Sequence, residues 1–195
     1  MTNILQEKSD LRRLALNYRQ IAARNCGSWA GEQIAKHIFE YFRTWKVSKI
    51  SGYLPLGDEI DPVPALTCLG DVGWEIALPV VTGKKQKLVF RQWCPGDELE
   101  VGYLNTRHPI PSASELSPDV ILAPMLAFDK EGHRLGWGGG FYDRTISALR
   151  AQNSILVLGL AFSRQEVDKV PCDRYDEPLD GVVTEKGIDV FGGEA

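Results

Sequence analysis

The stretch 128–144, FDKEGHRLGWGGGFYDR, holds the densest set of residues able to do chemistry. Gly136, Gly138, Gly139 and Gly140 stand just before a helical segment that carries Ile146 and Leu149. Glycines at that place let backbone N–H groups approach an anion closely, with the helix dipole pointing at it. This is a phosphate cradle in outline. It is neither G-x-x-x-x-G-K-S/T nor GxGxxG, because Phe141 stands where the third glycine would fall. Neither a Walker-type nucleotidase nor a dinucleotide-binding dehydrogenase is therefore indicated. The plain alternative is a tightly turning surface loop.

Two neighbours favour the cradle. Arg134, before the glycines, offers a planar fork to a phosphate, and Asp143, after them, is a carboxylate able to hold a metal ion. A nucleotide phosphate bound with Mg2+ needs both kinds of group, although an Asp in a first helical turn is equally a partner for the helix dipole. Farther away, Lys8 and Arg12 are four residues apart and share a helix face, with Arg13 beside them. Near the other end, Pro171, Asp173, Asp176, Glu177 and Asp180 form an acidic loop. Each cluster is also readable as a solvated charged face. Glu59, in YLPLGDEID, follows a strand-like run and lies where open sheets bind ligands; its alternative reading is a turn residue beside Gly57 and Asp58.

The elements that must position these groups come from periodicity. Leu11, Leu14, Ala15, Tyr18, Ile21 and Ala22 predict a first amphipathic helix with Ser9 or Asp10 as its cap, and Trp29, Ile34, Ile38, Phe39 and Phe42 predict a second after Ser28. Short apolar runs follow at 50–54, 74–78, 88–93, 120–123, 155–160 and 181–184. Val120, Ile121 and Leu122, like Ile155 through Leu158, are continuous rather than alternating, as strands covered on both faces are. Helical stretches at 62–69 and 141–151 lie between them. Strands interleaved with helices predict an α/β three-layer sandwich, α/β/α, around an open, mostly parallel sheet, with an N-terminal helical pair. The basic turn 82–87 and the Pro- and Ser-rich stretch 105–118 read as surface connections.

Composition sets the outer limits. A chain of 195 residues suits one domain, 1–195, with a core of its own. A net charge of −4 and the lack of a basic stripe interleaved with aromatics argue against a nucleic-acid or anionic-membrane binder. Cys26, Cys68, Cys94 and Cys172 lie tens of residues apart with no CxxC pair, and His37, His108 and His133 sit near none of them, so a zinc site of usual spacing is not expected. With no basic and apolar leader, the cysteines read as reduced, buried thiols and the protein as soluble and cytoplasmic.

The same residues resemble a known family. FDKEGHRLGWGGGFYDR, preceded by LAPMLA, is similar to the signature of 5-formyltetrahydrofolate cyclo-ligases, also called methenyltetrahydrofolate synthetases, and fills every fixed position of F-D-x-x-G-x-R-L-G-x-G-x-G-Y/F-Y-D. The resemblance extends to Lys8, Leu11 and Arg12, to the Glu59 segment, to ALPVV through Pro79 and to VPCDRYDEPLDGVVTE. It implies a Rossmann-like fold without the dinucleotide fingerprint. It also implies ATP- and Mg2+-dependent closure of 5-formyltetrahydrofolate to 5,10-methenyltetrahydrofolate by a monomer, with neither nucleic acid nor membrane as partner.

By the same resemblance, Lys8, Arg12, Arg134, Leu135, Gly136, Gly138, Gly139, Gly140 and Tyr142 would bind ATP, with Arg134 and Tyr142 catalytic. Leu54, Glu59, Trp137, Gly138, Gly139, Gly140 and Phe141 would contact the folate, and Asp143 and Asp176 would bind magnesium. Two departures stand out: Gly139 replaces a Lys of some relatives, and Ser112 and Ala113 replace their Glu-Pro after Ile110 and Pro111. The rival readings are a catalytically silent folate- or nucleotide-binding relative and a phosphotransferase for another small metabolite.

Overall fold

The computed structural model describes residues 4–46 and 48–191. Helices α1 (Ile4–Cys26) and α2 (Trp29–Phe42) lead to β1 (Lys49–Ser51), α3 (Val63–Asp71), β2 (Glu75–Val81) and β3 (Leu88–Gln92). Then come β4 (Leu99–Val101), β5 (Arg107–Pro109), β6 (Val120–Pro124), β7 (Ala127–Phe128), β8 (Arg134–Leu135) and α4 (Phe141–Arg150). Strands β9 (Leu156–Leu160), β10 (Gly181–Thr184) and β11 (Gly187–Val190) complete the described fold. Seven strands form one sheet in the order β11-β10-β9-β6-β1-β2-β3, while β4 pairs with β5 and β7 with β8. The inner pairings β2–β1, β1–β6, β6–β9 and β9–β10 are parallel; the edge strands β3 and β11 are antiparallel.

The central strand explains the layers. Val120, Ile121, Leu122 and Ala123 are fully buried, and successive side chains point to opposite faces of a strand. Val120 and Leu122 join Ile34 and Ile38 of α2 and Leu66 and Leu69 of α3 in one core. Ile121 and Ala123 join Ile146 of α4 and Phe90 of β3 in the other. Both faces are covered, as the unbroken apolar run predicts, and the Val, Ile and Leu side chains each contribute about 1.5–3 kcal/mol by leaving water. A third, smaller core matters more for the site. Ala15, with Leu11 and Leu16, packs α1 onto Leu126, Ala127 and Leu135 of the β7–β8 hairpin, so α1 lies against the strand that carries Arg134.

Several expectations are corrected. Neither Ser9 nor Asp10 caps α1, because Leu5, Gln6, Glu7 and Lys8 are good helix formers and start the helix at Ile4; Asp10 instead accepts from Arg13 and Gln6 within the helix. The stretch 105–118 is not all loop, since Arg107–Pro109 pairs with Leu99–Val101 and buries His108. The cysteines are free, yet none is buried: Cys68 and Cys94 are exposed, and Cys26 and Cys172 are half-buried. Among the described residues no helix is long and apolar enough to cross a membrane.

Candidate active site

The glycine loop hangs from a rigid turn. Asp129, almost fully buried, accepts the N–H groups of Glu131, His133 and Val170 and faces His133 Nδ1 at 3.1 Å. This closes the β7–β8 hairpin and fixes where Arg134 begins. Asp129, Glu131 and His133 offer ligand atoms within 4.8 Å of one another, but both Asp129 oxygens are committed to those backbone donors. Beyond Leu135 the backbone takes conformations that favour glycine, with φ +92° at Gly138 and φ +64° at Gly140, which caps α4.

Cations close over the loop. Arg12 Nε donates to Gly136 O at 2.9 Å, and its Nη2 would lie 3.1 Å from a Cβ added to Gly138. The Arg134 side chain is nearly sealed from solvent and pairs with Asp143 Oδ1 at 2.5 Å, while its buried Nε has no partner. Lys8 Nζ donates to Asp176 Oδ2 at 2.5 Å and Asp173 Oδ2 at 2.9 Å. Burial opposes the Lys8 charge, but the hydrogen bonds to Asp176 and Asp173 outweigh it and raise its pKa. The Asp173 carboxyl is held below its ordinary value, first by the Tyr175 N–H and then by Lys8.

Asp143, one of the two carboxylates read as metal ligands, is joined through the backbone to the segment that carries the other, Asp176. Glu177 N–H donates to Asp143 Oδ1 at 3.4 Å, which sets the first turn of α4 against the acidic loop containing Asp176. That loop is divided between two basic partners rather than simply solvated. Asp173 and Asp176 face Lys8, whereas Glu177 and Asp180 pair with Arg150 of α4 at 3.1 and 3.0 Å. An all-oxygen donor set of this kind suits a hard divalent cation.

Glu59 is spoken for within the protein. Its side chain is only 4% exposed; Oε1 accepts from Arg19 Nη1 at 3.3 Å and Trp137 Nε1 at 3.1 Å, and Oε2 accepts the Leu56 N–H at 2.9 Å. Arg19 also lies over the Trp137 ring, 5.1 Å from its centroid. The glycine loop is thus tied to the Glu59 segment through Trp137. Leu54 is partly buried and packs against the α2–α3 core. A cavity of about 280 Å³ has Glu59, Ser28, Gly31, Asp61 and Phe162 in its wall but no glycine-loop residue, so it is not the phosphate cradle.

Aromatic groups line the other end of the loop. Phe141 lies 6.2 Å from the Tyr103 ring and under Arg144 at 5.4 Å. Arg134 stands 5.6 Å over the Tyr142 ring. Desolvation first, then the negative charge of Glu59, pushes the Tyr142 phenol well above its ordinary pKa against the opposing pull of Arg134. A phenol held protonated in this way is suited to donate a hydrogen bond and poorly suited to act as a base.

Sequence reasoning missed Arg19, Arg144 and Arg150. Arg19 had a signal, because it follows Lys8 and Arg12 at helical spacing; the partners of Arg144 and Arg150 lie on segments whose proximity only the fold reveals.

Comparison with known proteins gives a consistent result. A family model described as the 5-formyltetrahydrofolate cyclo-ligase family matches residues 4–185. A 5-formyltetrahydrofolate cyclo-ligase of Escherichia coli is 33% identical over 159 residues, covering 79% of this chain and 87% of that one. The solved structure of a 5,10-methenyltetrahydrofolate synthetase from Aquifex aeolicus is 28% identical, with TM-score 0.72 over 96% of this chain and 94% of that one. The Mycoplasma pneumoniae synthetase, 21% identical, shares the fold with TM-score 0.73 over 91% of this chain and 98% of that one.

Proposed function

The chain belongs to the 5-formyltetrahydrofolate cyclo-ligase family, and on that premise we propose that the glycine loop and its surroundings close 5-formyltetrahydrofolate to 5,10-methenyltetrahydrofolate while ATP becomes ADP and phosphate. The observation that carries this reading is the gathering of Lys8, Arg12, Arg134, Asp143 and Asp176 around one glycine loop. Phosphoryl transfer requires that mixture of fixed cations, free backbone N–H groups and carboxylates.

The formyl oxygen is a weak leaving group. Transfer of the ATP γ-phosphoryl group to it leaves ADP and an activated carbon; the folate's anilino nitrogen attacks that carbon and releases its proton, and phosphate departs with the former formyl oxygen to leave the methenyl bridge. The protein's work is positioning and charge neutralisation. Lys8, Arg12 and Arg134 hold phosphate oxygens, with backbone N–H groups of the segment Leu135, Gly136, Gly138, Gly139 and Gly140 completing the cradle and the Tyr142 phenol donating beside them. Asp143 and Asp176 would hold Mg2+, which would supply neutralisation of the phosphate charge. Binding the phosphates gives Arg134 a new anionic partner and releases Asp143 for that task.

At the folate end, Glu59 accepts hydrogen bonds from pterin N–H groups, one of which takes the place of the Trp137 indole, while Leu54, Trp137 and Phe141 line the pocket. The test is near-ultraviolet absorbance of protein mixed with 5-formyltetrahydrofolate and Mg2+, with and without ATP. Growth of the methenyl band only with ATP, with matching ADP release, is the expected outcome. Folded, ATP-binding protein that produces no band would instead identify a silent relative or an enzyme for another substrate.

A further inference from the structure

Among the described residues, three lysine or arginine side chains are buried: those of Lys8, Arg19 and Arg134. Lys8 and Arg134 face the acids of the glycine-loop site. The chemistry above makes no use of Arg19, although a guanidinium taken out of water is costly unless it is paired. Arg19 follows Lys8 by 11 residues and Arg12 by seven, close to three and two turns of helix. One face of α1 therefore carries all three cations. Lys8 and Arg12 address the phosphate end of the site, and Arg19, about 16 Å along the axis from Lys8, addresses Glu59.

The bonds at Glu59 differ in kind. An ionised carboxylate has about four acceptor positions, and Glu59 uses three of them: Oε1 takes Arg19 Nη1 and the Trp137 indole, and Oε2 takes the Leu56 N–H. The Arg19 and Leu56 bonds come from inside the protein. Trp137 is exposed and is the partner that a pterin N–H can replace, which leaves Arg19 as the side-chain partner of the carboxylate. Arg19 also lies over the Trp137 ring, so it sets where the indole rests. Its buried Nε has no hydrogen-bond partner; Glu59 and Trp137 orient the guanidinium even at the expense of one of its own bonds.

We propose that Arg19 is a positioning residue for the folate, holding the Glu59 carboxylate in the orientation that receives pterin N–H groups and setting the place of Trp137 beside it, without touching either substrate. This rests on the folate reading above and adds a residue that acts through Glu59.

The experiment measures the dissociation constant of 5-formyltetrahydrofolate without ATP, and that of ATP with Mg2+ without folate. The proteins are the wild type, R19M, R19K, E59Q and E59Q/R19M. R19M should bind the folate about tenfold more weakly and ATP within about twofold of wild type. R19K keeps the charge and loses the planar face, so its folate constant should fall between those of wild type and R19M. E59Q/R19M should match E59Q within about twofold, because a residue that acts through Glu59 has nothing further to lose once the carboxylate is gone. R19M leaves a buried carboxylate unpaired, so thermal unfolding is followed in parallel. If R19M does not fold, R19K and E59Q/R19M carry the test: R19K should weaken folate binding and spare ATP, and the double variant should still match E59Q.

Folate binding unchanged in R19M and R19K, equal weakening of folate and ATP, or a further loss in E59Q/R19M beyond E59Q overturns the role. Failure of the folded wild type to bind 5-formyltetrahydrofolate overturns the folate reading itself and the Arg19 role with it.

Discussion

Arg134 Nη2 sits 2.5 Å from Asp143 Oδ1, the arginine side chain only 4% exposed and the carboxylate 22%. The cation proposed to bind phosphate and the carboxylate proposed to bind the metal therefore neutralise each other in the structure. Removing one member of a buried pair leaves the other charge uncompensated, at a cost of about 3–5 kcal/mol at full burial; the partial exposure of Asp143 reduces this.

Asp143→Asn is expected to lower kcat at least about a hundredfold and to lower Tm by several degrees. The assay is a Mg2+ titration of turnover beside thermal unfolding. Near-normal turnover at saturating Mg2+ would take Asp143 out of the metal site.

The Lys8 pair gives a pH dependence whose sign follows from the two shifts. Asp173 has a lowered folded pKa, so its contribution is present above the unfolded value of about 3.9 and is lost as pH falls through the folded one. Lys8 has a raised folded pKa, so its contribution is complete below about 10.4 and fades as pH rises through the folded value. Lys8→Met should lower Tm at neutral pH, and the gap to wild type should close in acid. Thermal unfolding from pH 7 to pH 3 checks this; a gap independent of pH would mean that Lys8 acts by packing alone.

Tyr142→Phe should reduce kcat by less than about tenfold, because a phenol that keeps its proton supplies a hydrogen bond and no base, whereas losing a general base costs about 10²–10⁴. A pH–rate profile on both proteins decides. Loss of an alkaline limb in the variant would show that Tyr142 titrates during turnover.

Glu59→Gln should raise the folate KM about tenfold or more and leave the ATP KM within about twofold. The change also deprives the buried Arg19 of its charge partner, so Tm should fall as well. Equal changes in both KM values would make Glu59 a support for the whole loop instead of a folate contact.

Gly138→Ala tests the loop itself. At φ +92°, with Arg12 Nη2 3.1 Å from the added Cβ, the substitution should cost about 1–2 kcal/mol, or about 2–8 °C in Tm. Its larger effect should be on ATP KM, because Arg12 is displaced. An unchanged ATP KM would separate Arg12 from the phosphates.

What the sequence revealed and what it concealed divide by range. The unbroken run Val120 to Ala123 announces a strand buried on both faces, and the structure sends alternate residues into two helical layers. The glycines before α4, Arg134 and Asp143 are neighbours in the chain, so their association was legible. Arg19 on Glu59 and Arg150 on Glu177 and Asp180 were not, since those contacts span 40, 27 and 30 residues. Strands β7 and β8 have two residues each, too few for any period to register. The cysteines misled because a small apolar side chain carries no pattern of its own.

The Lys8–Asp176 contact joins residues 168 apart. During synthesis α1 emerges early with Lys8, Arg12 and Arg19, long before the acids that hold Lys8 have been added. The β7–β8 hairpin and α4 can form on the ribosome, but the site stays open until the segment around Asp176 is released and folds back onto α1. A nascent chain therefore lacks the Lys8 ion pairs, and the site proposed for ATP is complete only in a molecule whose synthesis has passed that point.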